Sequence, residues 1–205
     1  MFKVLYLNLA SRPDRDKFQR EQLERLGIPY ERVEATLFDT AGGFQNRAFR
    51  GSFYDHLQQI KRIAAEQVPY VILEDDTVIS NEFYDPVWRM EEALLQVHRL
   101  DSNWCFLHFY KETAVQNQKM LMQRMNSLAM NAYTVNVRRA GEVAAVLSFG
   151  YDKLLRGPKN LWQSAIDQHC RLHVWPKYPC YGIDNTALQG NFGSDTGWRE
   201  HRVDP

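Results

Sequence analysis

Apolar residues recur along this chain in two rhythms, and the switching between them predicts the architecture. The run KVLYLNL (3–9) is short and nearly unbroken, as a strand buried on both faces would be. In SRPDRDKFQREQLERLG, Ser11 to Pro13 read as a helix start and Gly27 as its stop, with Phe18, Gln22, Leu23 and Leu26 spaced to one face. YERVEAT (30–36) predicts a second strand. The glycine-bearing stretch DTAGGFQNRAFRG (39–51) reads as a loop, and Ser52 with Asp55 reads as the cap of a helix carrying Leu57, Ile60 and Ala64. That helix should end near Val68-Pro69, where proline turns the backbone extended for YVILE (70–74). Helical spacing returns over 86–100 at Val87, Met90, Leu94 and Val97. WCFLHF (104–109) and AYTVNV (132–137) predict strands, and Val143, Val146 and Leu147 a further helix; beyond Trp175-Pro176 the pattern is irregular. Strands alternating with helices define an α/β class.

At 205 residues the chain is expected to form a single domain, 1–205. Twenty-five basic residues balance twenty-five acidic ones, so no net field points to nucleic acid or to an anionic membrane. No apolar run approaches the length of an integral membrane segment, so any membrane contact would be peripheral. The opening MFKVLYLNLAS lacks a small-residue cleavage pattern and reads as a core strand rather than a leader. Three cysteines without a CxxC pair point to a reducing, cytoplasmic setting. His169, Cys170, His173 and Cys180 form a nominal zinc set whose spacing fits no standard finger; they read as core and surface residues.

The distinctive chemistry lies in VILEDDTVIS (71–80), where a buried strand runs into Glu74, Asp75 and Asp76. In open α/β sheets ligands sit beyond the carboxyl ends of strands. With extended geometry Glu74 and Asp76 would project to one face and Asp75 to the other. Two carboxylates so spaced can share one hard cation, and oxygen-only ligands favour magnesium or manganese. A solvated turn after a core strand is the plain alternative.

The order NLASRPDR near the start, Gly51 to His56 opening a helix, then PYVILEDDTVIS, resembles glycosyltransferase family 25, which includes lipooligosaccharide and collagen galactosyltransferases. The similarity continues through Trp104 to Leu107, Ala132-Tyr133, Arg138-Arg139, Asp167, Gln189 and Ser194-Asp195, covering roughly residues 2–195. The chain departs from the family at Ser52, at Asp55-His56 and in the polar linker after the 104–109 strand, differences that bear on the acceptor more than on the donor.

The resemblance implies a GT-A-like, Rossmann-related fold with a mixed central sheet, its donor-binding part about 1–110 and its acceptor side about 111–205. It implies a retaining transfer of a hexose, galactose first among them, from a UDP-sugar to a glycan or hydroxylated acceptor, as in lipopolysaccharide biosynthesis, assisted by Mn2+ or Mg2+. Glu74 and Asp76 would hold the metal, and Asn8, Arg12, Arg15 and His56 the donor. Asp75 would touch the donor sugar or ribose, and Asp167 would orient the acceptor hydroxyl or support the sugar cation. Gln189 and Asp195 fall on the acceptor side, and Trp162, Trp175, Trp198 and Tyr181 offer faces for sugar stacking. Two rival readings remain: a degenerate domain that binds a nucleotide sugar or a partner without catalysis, and a magnesium-dependent phosphoryl-transfer domain. The latter has no GxxxxGK[ST] loop in this sequence.

Overall fold

The computed structural model describes residues 2–38, 43–79, 85–109, 123–124, 130–156, 165–183 and 187–189, with the side chains of 43–46, 123–124 and 187–189 outside that description. The first apolar run forms β1 (Lys3–Asn8). Pro13 then opens α1 (Pro13–Arg25), with Asp14 and Asp16 in its first turn. Gly27, at φ 65°, takes the left-handed conformation that closes the helix end. The buried face of α1 is more polar than the spacing predicts, consisting of Arg15, Gln19, Gln22 and Leu23. It covers a cluster of carboxylate and carbonyl oxygens rather than oil.

β2 (Tyr30–Glu34) pairs with β1 in parallel, and β3 (Tyr70–Glu74) pairs with β1 on its other side, also in parallel. Between them runs α2 (Gly43–Glu66), which corrects the expected loop over 39–51: residues 43–51 are helical, and Ser52 and Asp55 lie inside the helix rather than capping it. The physical reason is Gly51. A Cβ there would stand 1.8 Å from the Thr36 carbonyl oxygen, so glycine marks a close approach of helix to backbone and not a stop. Asp55 uses its carboxylate to accept the Thr36 N–H at 2.8 Å, and burial raises its pKa against that bond.

A short β4 (Thr77–Ile79) leaves the acidic turn, and Asp85 caps α3 (Pro86–Leu100) by accepting from the Val87 and Trp88 N–H groups. β5 (Phe106–His108), the two-residue β6 (Gln123–Arg124) and β7 (Ala132–Val135) follow, then α4 (Ala140–Leu155) and α5 (Ile166–His173). Past Trp175-Pro176, where the pattern is irregular, the chain still supplies β8 (Cys180–Gly182) and β9 (Ala187–Gln189).

The main sheet has the order β2-β1-β3-β7-β5-β8-β6, and β4 pairs separately with β9. β7 is antiparallel to both its neighbours, which makes the sheet mixed, as expected. Alternate residues of β1 go to opposite faces. Leu5 and Leu7 join Phe53, Leu57, Ile60 and Ile63 of α2 with the apolar side of α4; Val4 and Tyr6 join Leu23 of α1 with Met90, Ala93 and Val97 of α3. Burying a single large apolar side chain there contributes about 1.5–3 kcal/mol. One sheet covered on both faces makes one domain. Among the described residues no helix is long and apolar enough to cross a membrane.

Candidate active site

β1, β2 and β3 run the same way and finish at one edge, with Asn8, Glu34 and Glu74 as their last residues. The antiparallel β7 begins at that edge. Just ahead of it, the Asn131 carbonyl accepts the Glu74 N–H and the Thr77 hydroxyl, each at 2.8 Å. The chain turns at Asp75-Asp76 before β4, yet side chains keep alternating: Glu74 meets α2 and Asp75 meets α1.

Asp75 is the hub of the α1 side. Its Oδ1 accepts from Arg15 Nη1 at 2.7 Å and its Oδ2 from Asn8 Nδ2 at 2.8 Å. Asn8 has little freedom to rotate its amide, because Nδ2 also donates to the Arg12 carbonyl and Oδ1 accepts from Arg32 Nε. Gln19 Nε2 reaches the carbonyls of Asp75 and Thr77, while Gln22 donates to Thr77 and accepts the Ile79 N–H. The polar face of α1 thus clamps the whole acidic turn. Burial raises the pKa of Asp75, and the Arg15 pair opposes that rise. Arg15, expected on a donor phosphate, is buried against Asp75.

On the other face, His56 is wholly buried in the middle of α2, not in a first helical turn. Its Nδ1 lies 2.9 Å from the Tyr133 hydroxyl and its Nε2 lies 3.3 Å from Glu74 Oε1. Glu74 is one-third exposed (33%) and Asp76 half-buried. Arg12 stands just ahead of α1, its guanidinium holding Asp14 in a two-bond pair that pulls the Asp14 carboxyl down to about 2.

The remaining expectations fall elsewhere. Asp167 sits in the first turn of α5, accepting the Gln168 N–H at 2.7 Å, on the α2 and α4 side of the molecule. Gln189 ends β9 directly opposite Thr77, which brings its backbone beside the acidic turn. Asp195, Ser194, Trp162 and Trp198 lie outside the described residues. Trp175 belongs to the core and Tyr181 donates to Asp101 at 3.0 Å. His169 packs its ring over Gly150, where a Cβ would stand 2.4 Å away, and burial, then His173, lower its pKa to about 4. Cys105, Cys170 and Cys180 are free and buried.

Arg32, Gln19 and Asn131 escape sequence reasoning, and Gln22 enters it only as part of the α1 stripe, although Arg15, Gln19 and Gln22 recur at i, i+4 and i+7. That spacing is a helix-face signal written in polar residues.

Among the described residues no group of three or more His, Cys, Asp or Glu could enclose a metal ion. Glu74 and Asp76 are of the donor type for a cation that is held by one or two carboxylates and takes its other ligands from phosphates and water. Asp75 is not available to it, since both its oxygens already carry protein donors.

No protein-family model matches the chain, and no curated protein sequence matches it. Its fold is similar to the crystal structure of a glycosyltransferase involved in the glycosylation of the major capsid of PBCV-1, with a TM-score of 0.50 over 89% of this chain and 80% of that one, at 10% identity. At that identity the likeness is one of fold.

Proposed function

We propose that this chain is a metal-assisted retaining glycosyltransferase that moves a hexose, galactose by its resemblance to family 25, from a UDP-sugar to a glycan or hydroxyl acceptor. The observation that carries the reading is the run Glu74 to Asp76 at the carboxyl end of β3, tied through Asp75 to Asn8 and α1, in a fold similar to a glycosyltransferase.

The bond from the sugar's anomeric carbon to the diphosphate breaks, and a new bond to the acceptor oxygen forms with the same configuration as the acceptor's proton passes to the departing diphosphate. Negative charge gathers on the departing diphosphate. A divalent Mn2+ or Mg2+ bound at the edge supplies Lewis-acid charge to it. Glu74 and Asp76 hold that cation, and Arg12 with the amino end of α1 attracts the phosphates. Asp75 serves this reading by fixing the turn that carries both ligands. Asp167, Gln189 and Asp195 are assigned to the acceptor side. Three buried free thiols suit a reducing compartment such as the cytoplasm.

Thermal unfolding with UDP, with and without Mn2+, tests the donor site. At a hundred times its dissociation constant a ligand adds about 2.7 kcal/mol, so a Mn2+-dependent rise that vanishes in Asp76→Asn is the expected result. No rise in the wild type at millimolar UDP overturns the reading in favour of a degenerate domain.

A further inference from the structure

By resemblance His56 belongs to the donor pocket. The geometry points elsewhere, to His56 and Tyr133 as positioning residues that fix the Glu74 carboxylate and leave one chosen oxygen to face the strand edge. The inference takes from the proposed function only what Glu74 would then bind.

The chemistry begins with what each group can donate. An ionised carboxylate only accepts, so the contact between His56 Nε2 and Glu74 Oε1 requires the proton on Nε2. In the neutral ring Nδ1 then carries a lone pair, and the Tyr133 hydroxyl, 2.9 Å away, must donate to it. The chain of donors runs Tyr133 to His56 to Glu74 and ends on Oε1. Oε2 is the oxygen left for a ligand.

Three separate elements hold this line straight. Tyr133 comes from β7, where it pairs across the ladder with Ile72 and His108. Its ring is wholly buried and lies against His56, Phe106 and His108, at ring-centre distances of 5.6, 5.5 and 6.1 Å. The hydroxyl therefore has nowhere else to swing. His56 is fixed in mid-helix and Glu74 at the end of β3. Neither His56 nor Tyr133 has surface to offer a donor nucleotide, since both are fully buried. Outer partners of this kind orient a ligand, and losing one typically weakens metal binding by 10–100-fold.

The first arm of the test is 15N NMR of the imidazoles in the metal-free full chain, with His56 assigned among the six histidines by its loss in His56→Gln. The expected spectrum shows the Nε2–H tautomer for His56, with an Nδ1 resonance that moves in Tyr133→Phe. The Nδ1–H tautomer, or an Nδ1 unmoved by Tyr133→Phe, overturns the inference. The second arm titrates Mn2+ alone. Tyr133→Phe should bind it at least about 10-fold more weakly. His56→Gln, whose amide can accept from Tyr133 and donate to Glu74, should stay within a few-fold of wild type, and His56→Leu should not. Equal affinity in wild type and Tyr133→Phe overturns it. The NMR arm needs no metal, so a wild type that binds no Mn2+ removes the metal reading while the relay is still decided.

Discussion

Replacing Arg15 by methionine separates two roles for that arginine. Its guanidinium meets Asp75 at 2.7 Å with the two side chains only 6% and 10% exposed. Methionine keeps the aliphatic length but strands a buried carboxylate whose other side-chain donor is Asn8. Removing one partner of a buried ion pair costs about 3–5 kcal/mol, which for a chain of this size lowers Tm by about 6–20 °C. The double variant Arg15→Met, Asp75→Leu removes the stranded charge and should regain much of the loss, a coupling of about 2–3 kcal/mol. Urea unfolding followed by circular dichroism, with midpoints compared at unchanged slope, measures all three.

The pH dependence has a definite sign. Burial already raises the Asp75 pKa and Arg15 opposes the rise, so in Arg15→Met it climbs further. A carboxyl whose folded pKa is raised has its stability fully present below the unfolded value and loses it as pH rises through the folded one. The penalty in Arg15→Met is therefore largest at neutral pH and shrinks on acidification. A loss under about 1 kcal/mol, or simple additivity in the double variant, refutes the clamp. A phosphate-binding Arg15 would instead leave the ligand-free melt nearly unchanged and reduce only UDP binding.

Gly51→Ala should destabilise by about 1–3 kcal/mol, because its Cβ meets backbone oxygen at 1.8 Å, outweighing the helix-propensity gain; Gly141→Ala, with open space around it, should stabilise by up to about 1 kcal/mol in the same thermal melt. His169, with its folded pKa lowered to about 4 from 6.5, binds a proton more readily unfolded, so stability falls as pH drops from 6.5 through 4, by up to about 3 kcal/mol. A His169→Gln variant should lack that acid-sensitive component, and an identical pH profile refutes it.

What the sequence made legible was what neighbours in sequence decide. Pro13 and Gly27 bound α1, the unbroken apolar runs became β1 and β3, and a carboxylate triplet after a core strand could be placed at the carboxyl edge of the parallel strands. Gly51 misled because its reason is Thr36, a partner from another element. The three-residue β8 and β9 are too short to show a period, and their pairing with β5 and β4 is what makes them strands. At the site, Asn8, Glu74 and Asp76 stand where the strand ends put them. The roles of Arg15 and His56 were hidden because their partners lie 60 and 77 positions away. Polar residues at core spacing look like surface until the partner is known.

The reversed strand β7 has a consequence for where the chain could be altered without disturbing its acidic turn. Phe109 donates a 2.9 Å backbone bond to Ala132, so the chain leaves the sheet and, after pairing β6 with β8, rejoins it at one point. That point is the edge that carries Glu74 and Asp76. The intervening stretch is held at both ends and again through β6 on β8, so an exchanged segment must keep that strand. Doubling the length of such a loop costs only about 0.6 kcal/mol in closure entropy. Asn131, whose carbonyl accepts from Glu74 and Thr77, lies within that stretch and must be kept as well. A chimera that exchanges residues between Phe109 and Ala132 while keeping β6 and Asn131 would thus alter the chain next to the strand edge and leave Glu74 and Asp76 where they stand.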